Sequence, residues 1–200
     1  LVLTVSHNYL TESELISLRE YVFDVGEELY APDAEYENDE ILAYNITCTN
    51  PAGYQNLLRI YPGFKPFLER IVDPGCNVIH FVSLKMLLGA AIEEHQDDGL
   101  DEHLSSPVKI LPTHTHVFYL QIPRDLKGGV LYARLNDEML ENVNPTENTI
   151  VKMSGDTWHG VTEVTQASQE RCMLVCEQYK LSKRNLAKLT TYDKPKILKG

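Results

Sequence analysis

The second half of this 200-residue chain is a series of short apolar, β-branched segments, and that feature limits the fold most. The segments cover 76–87, 90–95, 115–121, 129–135, 148–153, 159–165 and 171–180, joined by Gly, Pro, Asn and Asp. Strands of this length and spacing point to a β-sandwich, jelly roll or barrel. The first 75 residues read differently. Thr11-Glu12-Ser13-Glu14 is a capping box, with Thr11 as N-cap and Glu14 reaching back. Leu15, Leu18 and Val22 follow at helical spacing, which predicts a helix of about four turns ending near Gly26. Residues 30–53 are polar, contain Pro32, Asn38 and Pro51, and read as mostly loop. Short helical patches are expected at 54–61 and 66–72, and a final helix at 182–190. The expected architecture is α+β with an all-β core in one domain, 1–200: helical support over 1–75, core over 76–180, tail over 181–200.

Charge and cysteines narrow the function classes. Lys and Arg total 18 against 29 acids, a net charge of −11, which repels phosphate backbones. Nucleic acid and anionic membranes are therefore not expected partners. A small anion can still bind where one Arg is focused in a pocket. Cys48, Cys76, Cys172 and Cys176 form no Cys-x-x-Cys pair. Cys172 and Cys176 lie in a strand-like run, roughly 13 Å apart, too far for a disulfide or a shared ion. The spacing argues against a thiol-based metal site and for reduced thiols in a cytoplasmic protein. Neither a secretory signal nor a long apolar span is evident. A monomer or homodimer is expected.

Glu94-His95-Gln96-Asp97-Asp98 sits after the apolar run 78–88. In an extended strand His95 and Asp97 face the same way, roughly 6.5 Å apart, and could grip one metal ion. Taken alone, such a match is at chance level. His159 offers a third ligand, following the turn Ser154-Gly155-Asp156-Thr157 and opening a new strand. Two His and one carboxylate on one face suit non-haem Fe(II) and dioxygen. Twelve residues later Arg171 opens the last apolar strand. A hairpin joining these two strands would carry Arg171 to within one side-chain length of the metal. A buried guanidinium needs a carboxylate partner, which a dicarboxylate co-substrate would supply.

In this order the pieces resemble the Fe(II)- and 2-oxoglutarate-dependent dioxygenases, in their prolyl-hydroxylase-like branch, over roughly residues 78 to 180. Gly89 followed by His95-Gln96-Asp97 resembles the family's strand ending in His-x-Asp. Val117-Phe118-Tyr119-Leu120-Gln121 resembles its strand ending in Tyr-Leu-Asn, and Gly128-Gly129-Val130-Leu131 its Gly-Gly-x-Leu. Val143-Asn144-Pro145 and 148–153 resemble the approach to the distal histidine. His159-Gly160-Val161-Thr162-Glu163-Val164 followed by Arg171 resembles the distal half of the site, and Asn8-Tyr9-Leu10-Thr11-Glu12 the family's opening.

The resemblance implies a double-stranded β-helix, a jelly roll flanked by N-terminal helices. It implies that His95, Asp97 and His159 bind iron. Arg171 would pair with the distal carboxylate of 2-oxoglutarate, Tyr119 would donate to that carboxylate, and Leu131 would pack against the co-substrate. Fe(II), 2-oxoglutarate and dioxygen would be required, with ascorbate as an optional helper. The reaction implied is hydroxylation of an aliphatic C–H, of a prolyl or other side chain in a peptide or protein. Asp97 argues against halogenation, since halogenating relatives lack this carboxylate. Two alternatives stay open: a hydroxylase of a free amino acid or other small molecule, and a catalytically inactive jelly-roll binding module.

Three positions depart from the family pattern. Met86 stands where a Tyr is frequent, Gln121 replaces Asn, and Val175 stands where Thr or Ser is frequent. By strand parity His114 and His116 face away from Tyr119 and are expected to be structural. Trp158 is read as lining the substrate entrance or filling the core, His103 as near the substrate or in solvent, and Asp98 as solvated.

Overall fold

A computed structural model describes residues 3–26, 31–32, 40–100, 104, 108–136 and 139–192. The expected capping box is present. The Thr11 backbone N–H donates to Glu14 Oε2 at 2.9 Å, and the Glu14 N–H reaches Thr11 Oγ1 at 3.4 Å. It opens helix α1 (Glu12–Gly26), which buries Leu15, Leu18 and Val22. Helices α2 (Ala52–Ile60) and α3 (Lys65–Ile71) flank a 3-10 turn at Pro62–Phe64, and α4 (Lys183–Leu186) is a shorter helix than the sequence suggests. No helix among the described residues is long and apolar enough to cross a membrane.

The strands are β1 (Leu3–His7), β2 (Ala31–Pro32), β3 (Ile41–Thr49), β4 (Val78–Met86), β5 (Ile92–His95), β6 (His114–Gln121) and β7 (Lys127–Gly128). They continue with β8 (Leu131–Asn136), β9 (Met139–Val143), β10 (Thr149–Ser154), β11 (His159–Val161), β12 (Val164–Gln166) and β13 (Arg171–Tyr179). Seven form the major sheet, in the order β1-β10-β6-β13-β4-β3-β2. A four-stranded sheet, β5-β11-β8-β9, faces it, and β12 and β7 pair separately. This is the expected jelly roll. The loop reading of 30–53 is corrected: β3 is a nine-residue strand paired along its whole length with β4. Its polar look came from flanking residues, while Ile41, Tyr44, Ile46 and Cys48 are buried.

Side-chain alternation splits the core in two. Ile79, Phe81, Phe118, Leu174 and Cys176 leave the outer face of the major sheet and pack with the helices. Met86, Val117, Tyr119, Met173 and Val151 leave its inner face and meet Ile92, Leu131, Ala133 and Val161 of the smaller sheet. Strand β13 is buried on both faces, so it reads as a continuous apolar run rather than an alternating one.

Candidate functional site

Strand register brings the first two candidate ligands together. β11 pairs antiparallel with β5, and His159 stands directly opposite His95. Their ring centroids are 4.5 Å apart. Asp97, two residues past His95, completes a group whose ligand atoms lie within 4.8 Å of one another. The Asp97 Oδ1 is 3.7 Å from His95 Nε2 and 3.5 Å from His159 Nε2. These separations are too long for hydrogen bonds and suit ligands around a common ion.

The surroundings orient each ligand. His95 Nδ1 lies 2.9 Å from the Glu93 carbonyl, and His159 Nδ1 lies 3.0 Å from the Thr157 carbonyl. Donation from Nδ1 leaves each Nε2 lone pair for a metal, the usual outer-shell arrangement. The Thr115 hydroxyl donates to Asp97 Oδ2 at 2.6 Å, leaving Oδ1 toward the imidazoles. Burial pushes the Asp97 carboxyl up, but His95, His159 and Thr115 together hold it below the usual carboxylate range. Burial pulls the His159 imidazole down, and Asp97 does not fully offset that. Burial acts the same way on His95, where Asp97 and the Glu93 carbonyl outweigh it and the net shift is upward. An ionised carboxylate beside a neutral, enclosed imidazole is metal-ready chemistry. The donor set therefore fits Fe(II).

A second group lies on the same inner layer. Arg171, fully buried, heads β13 opposite Met86. Its Nη1 donates to the Gly129 carbonyl at 2.6 Å, but its Nε has no partner and no carboxylate pairs with it among the described residues. Its guanidinium carbon stands 5.2 Å from the centroid of the Tyr119 ring, and the buried Tyr119 hydroxyl also lacks a partner. Both residues thus present donors to a missing acceptor, as a carboxylate ligand requires. Gly128 and Gly129 both have positive φ, 75° and 64°. A Cβ on Gly129 would come within 2.8 Å of Arg171 Nη1. Gly129 thus lets the backbone pass under the guanidinium, while a Cβ on Gly128 would collide with the Glu163 carbonyl.

Leu131 is buried in the inner core, opposite Val161 and Val143. Trp158 is 45% exposed beside His159, so it does not fill the core. Asp98 points outward and pairs with Lys109 at 3.0 Å. His114 and His116 share the outer face with Phe118, as parity required. His103 lies outside the described residues. The hairpin expected to deliver Arg171 is corrected. β11 pairs with β5 and β8, whereas β13 pairs with β4 and β6 in the opposite sheet. Arg171 meets the site across the sandwich rather than along a hairpin. Thr115 and the Gly129 carbonyl escaped the sequence reading. Thr115 was findable, since it shares strand parity with Tyr119 four residues on.

No protein-family model matches the sequence, and no curated protein matches it. Solved structures do match the fold. A Pseudomonas putida prolyl-4-hydroxylase is 18% identical with a TM-score of 0.59, covering 90% of this chain and 94% of that one. A Burkholderia pseudomallei oxidoreductase of the 2OG-Fe(II) oxygenase family is 16% identical at TM-score 0.59, covering 89% and 84%. A Trichoplax adhaerens prolyl hydroxylase, solved with a hypoxia inducible factor peptide fragment, is 12% identical at TM-score 0.57, covering 94% and 85%. The chain has the fold of this superfamily and of its prolyl-hydroxylase-like branch, the group its motifs resemble.

Proposed function

We propose that this chain is an Fe(II)- and 2-oxoglutarate-dependent dioxygenase that hydroxylates an aliphatic C–H of a prolyl or other peptide side chain. One observation carries the reading: buried Arg171 and Tyr119 hold unmet donors in the layer that also holds His95, Asp97 and His159. Strand β6 links the two groups, with Thr115 under Asp97 and Tyr119 beside Arg171 on one face. Roughly 13 Å of strand separates those positions, a gap that side chains and a five-carbon dicarboxylate span together.

In this reading His95, Asp97 and His159 hold the metal. Fe(II) with 2-oxoglutarate and dioxygen supplies the oxidation, releasing succinate and carbon dioxide. Arg171 binds the distal carboxylate of the co-substrate, Tyr119 donates to it, and Leu131 packs along its chain. Thr115 holds Asp97 with one oxygen toward the metal. The apolar inner layer of Val117, Met173 and Val161 excludes water around the reacting groups. Trp158, exposed beside His159, lines the substrate entrance. The peptide in the Trichoplax structure supports a polypeptide substrate. The free, buried cysteines fit a reducing, cytoplasmic setting, with ascorbate as an optional reductant.

The test is succinate release from 2-oxoglutarate over a panel of proline-containing peptides and free amino acids. Stimulation by peptides is the expected result. Stimulation by free amino acids alone moves the substrate to the small-molecule class, and no succinate under any condition overturns the enzyme reading.

A further inference from the structure

Behind the His95–Asp97–His159 group, on the outer face of β6, three more metal-binding side chains converge. Asp73 and Cys76 come from the turn between α3 and β4, and His114 is the first residue of β6. Their candidate ligand atoms lie within 4.8 Å of one another. Cys76 and His114 are buried, at 3% and 6% exposure, while Asp73 lies on the exposed side of the turn. The turn is fixed by its own hydrogen bonds. The Gly75 N–H donates to Asp73 Oδ1 at 2.7 Å, and the Cys76 N–H to the Asp73 carbonyl at 3.0 Å. Gln178 ties both sides together: its Oε1 accepts from the Asp73 N–H at 2.7 Å, and its carbonyl accepts from the Thr113 N–H at 2.7 Å. The His114 Nε2 is fully enclosed and has no hydrogen-bond partner among the described residues.

We propose that Asp73, Cys76 and His114 bind a second divalent metal ion of borderline softness, zinc by its ligand chemistry. One thiolate, one imidazole and one carboxylate form a zinc-type donor set. The two anionic ligands balance the ion's charge in a poorly solvated place. On binding, the Cys76 thiol gives up its proton to solvent, as coordinating thiols do. A rival reading, a thiol nucleophile with His and Asp behind it, meets an obstacle. Cys76 is buried, and burial raises its thiol away from the reactive thiolate form. Cysteine spacing could not reveal this site, because it uses a single Cys and its partners come from separate segments. Its place gives it a role. His114 and Thr115 are neighbours facing opposite sides of β6, and Thr115 holds Asp97. An ion on His114 anchors the end of the strand on which the iron ligand leans.

Cobalt(II) titration of the metal-free full chain tests this. His95, Asp97 and His159 supply no sulfur, so thiolate-to-cobalt charge-transfer absorption in the near ultraviolet reports a sulfur ligand elsewhere, and Cys76→Ser identifies which of the four thiols supplies it. The band is expected in the wild type and in His159→Ala, is displaced by zinc, and disappears in Cys76→Ser. His114→Ala and the isosteric Asp73→Asn should each weaken cobalt binding by more than about tenfold, since even outer-shell losses cost that much. Absence of the band in the wild type overturns the proposal. So does its survival in Cys76→Ser, or unchanged affinity in both His114→Ala and Asp73→Asn.

Discussion

The seven-stranded sheet shows two different surfaces from the same strands. On its outer face Phe81 packs against Phe64 at 4.8 Å between ring centroids, and Phe118 against Phe67 at 5.2 Å. The cation at that face, Lys85, has Glu170 at 3.4 Å and the Phe23 ring at 4.5 Å. On the inner face Arg171 is more deeply buried, and among the described residues it has no carboxylate and Tyr119 lacks a partner. The outer layer carries an orphan hydroxyl too, at Tyr54, but a neutral hydroxyl is a smaller liability than a guanidinium. A buried donor without a partner costs about 1–3 kcal/mol, more when charged. A guanidinium buried without a carboxylate partner among the described residues, in the layer of the His-Asp-His group, suits a face that receives an anionic ligand. The outer face supplies the stability that allows it.

The difference between the faces can be broken by substitution. Asp97→Ala removes a proposed metal ligand and should lower succinate formation by at least about 100-fold, beyond the losses known for outer-shell partners. Iron content after reconstitution checks that the loss is of metal. Phe81→Ala on the outer face should instead cost about 3–5 kcal/mol of stability by urea unfolding. The KM for 2-oxoglutarate of the folded protein should not change. Arg171→Ala should raise that KM about 10- to 100-fold, the equivalent of one charge-assisted hydrogen bond. Arg171→Lys should not restore it, because an ammonium lacks the planar fork. A stability loss without a KM change in Arg171→Ala would merge the two faces into one structural core.

The smallest effect lies at the helical layer. The Arg70 guanidinium, with Thr11, holds the Glu14 carboxyl down to about 2, from 4.5. The folded chain therefore keeps this group ionised where the unfolded chain protonates it. Its stabilising contribution is present above pH 4.5 and is lost as pH falls from 4.5 toward 2. The difference in unfolding midpoint between wild type and Glu14→Gln should shrink across that window.

Much of this arrangement was legible in the sequence where periodicity or motif order carried it. Thr11 and Glu14 marked the first helix, and parity alone placed His114 and His116 on the face away from Tyr119. His95, Asp97, His159 and Arg171 were individually ordinary and became informative by their order. Strand β3 was hidden because both its faces are covered, so Ile41 to Thr49 shows no alternation, and prolines surround it. The hairpin linking His159 to Arg171 was wrong for a topological reason. In a two-sheet sandwich, consecutive strands can enter opposite sheets, and local spacing does not record which. The contacts of Arg171 with the Gly129 carbonyl and of Thr115 with Asp97 each join a strand to a connecting segment elsewhere in the chain. Parity hinted at Thr115, but no local spacing records the Gly129 contact.

The central claim is that the unmet donors of the inner face belong to a co-substrate pocket beside a metal. Its most direct test is succinate formation from 2-oxoglutarate by the purified wild-type chain, with Fe(II), dioxygen or 2-oxoglutarate left out in turn. Succinate is expected only when all three are present, and only at background in Asp97→Ala. Succinate formed without Fe(II), or undiminished in Asp97→Ala, contradicts the account.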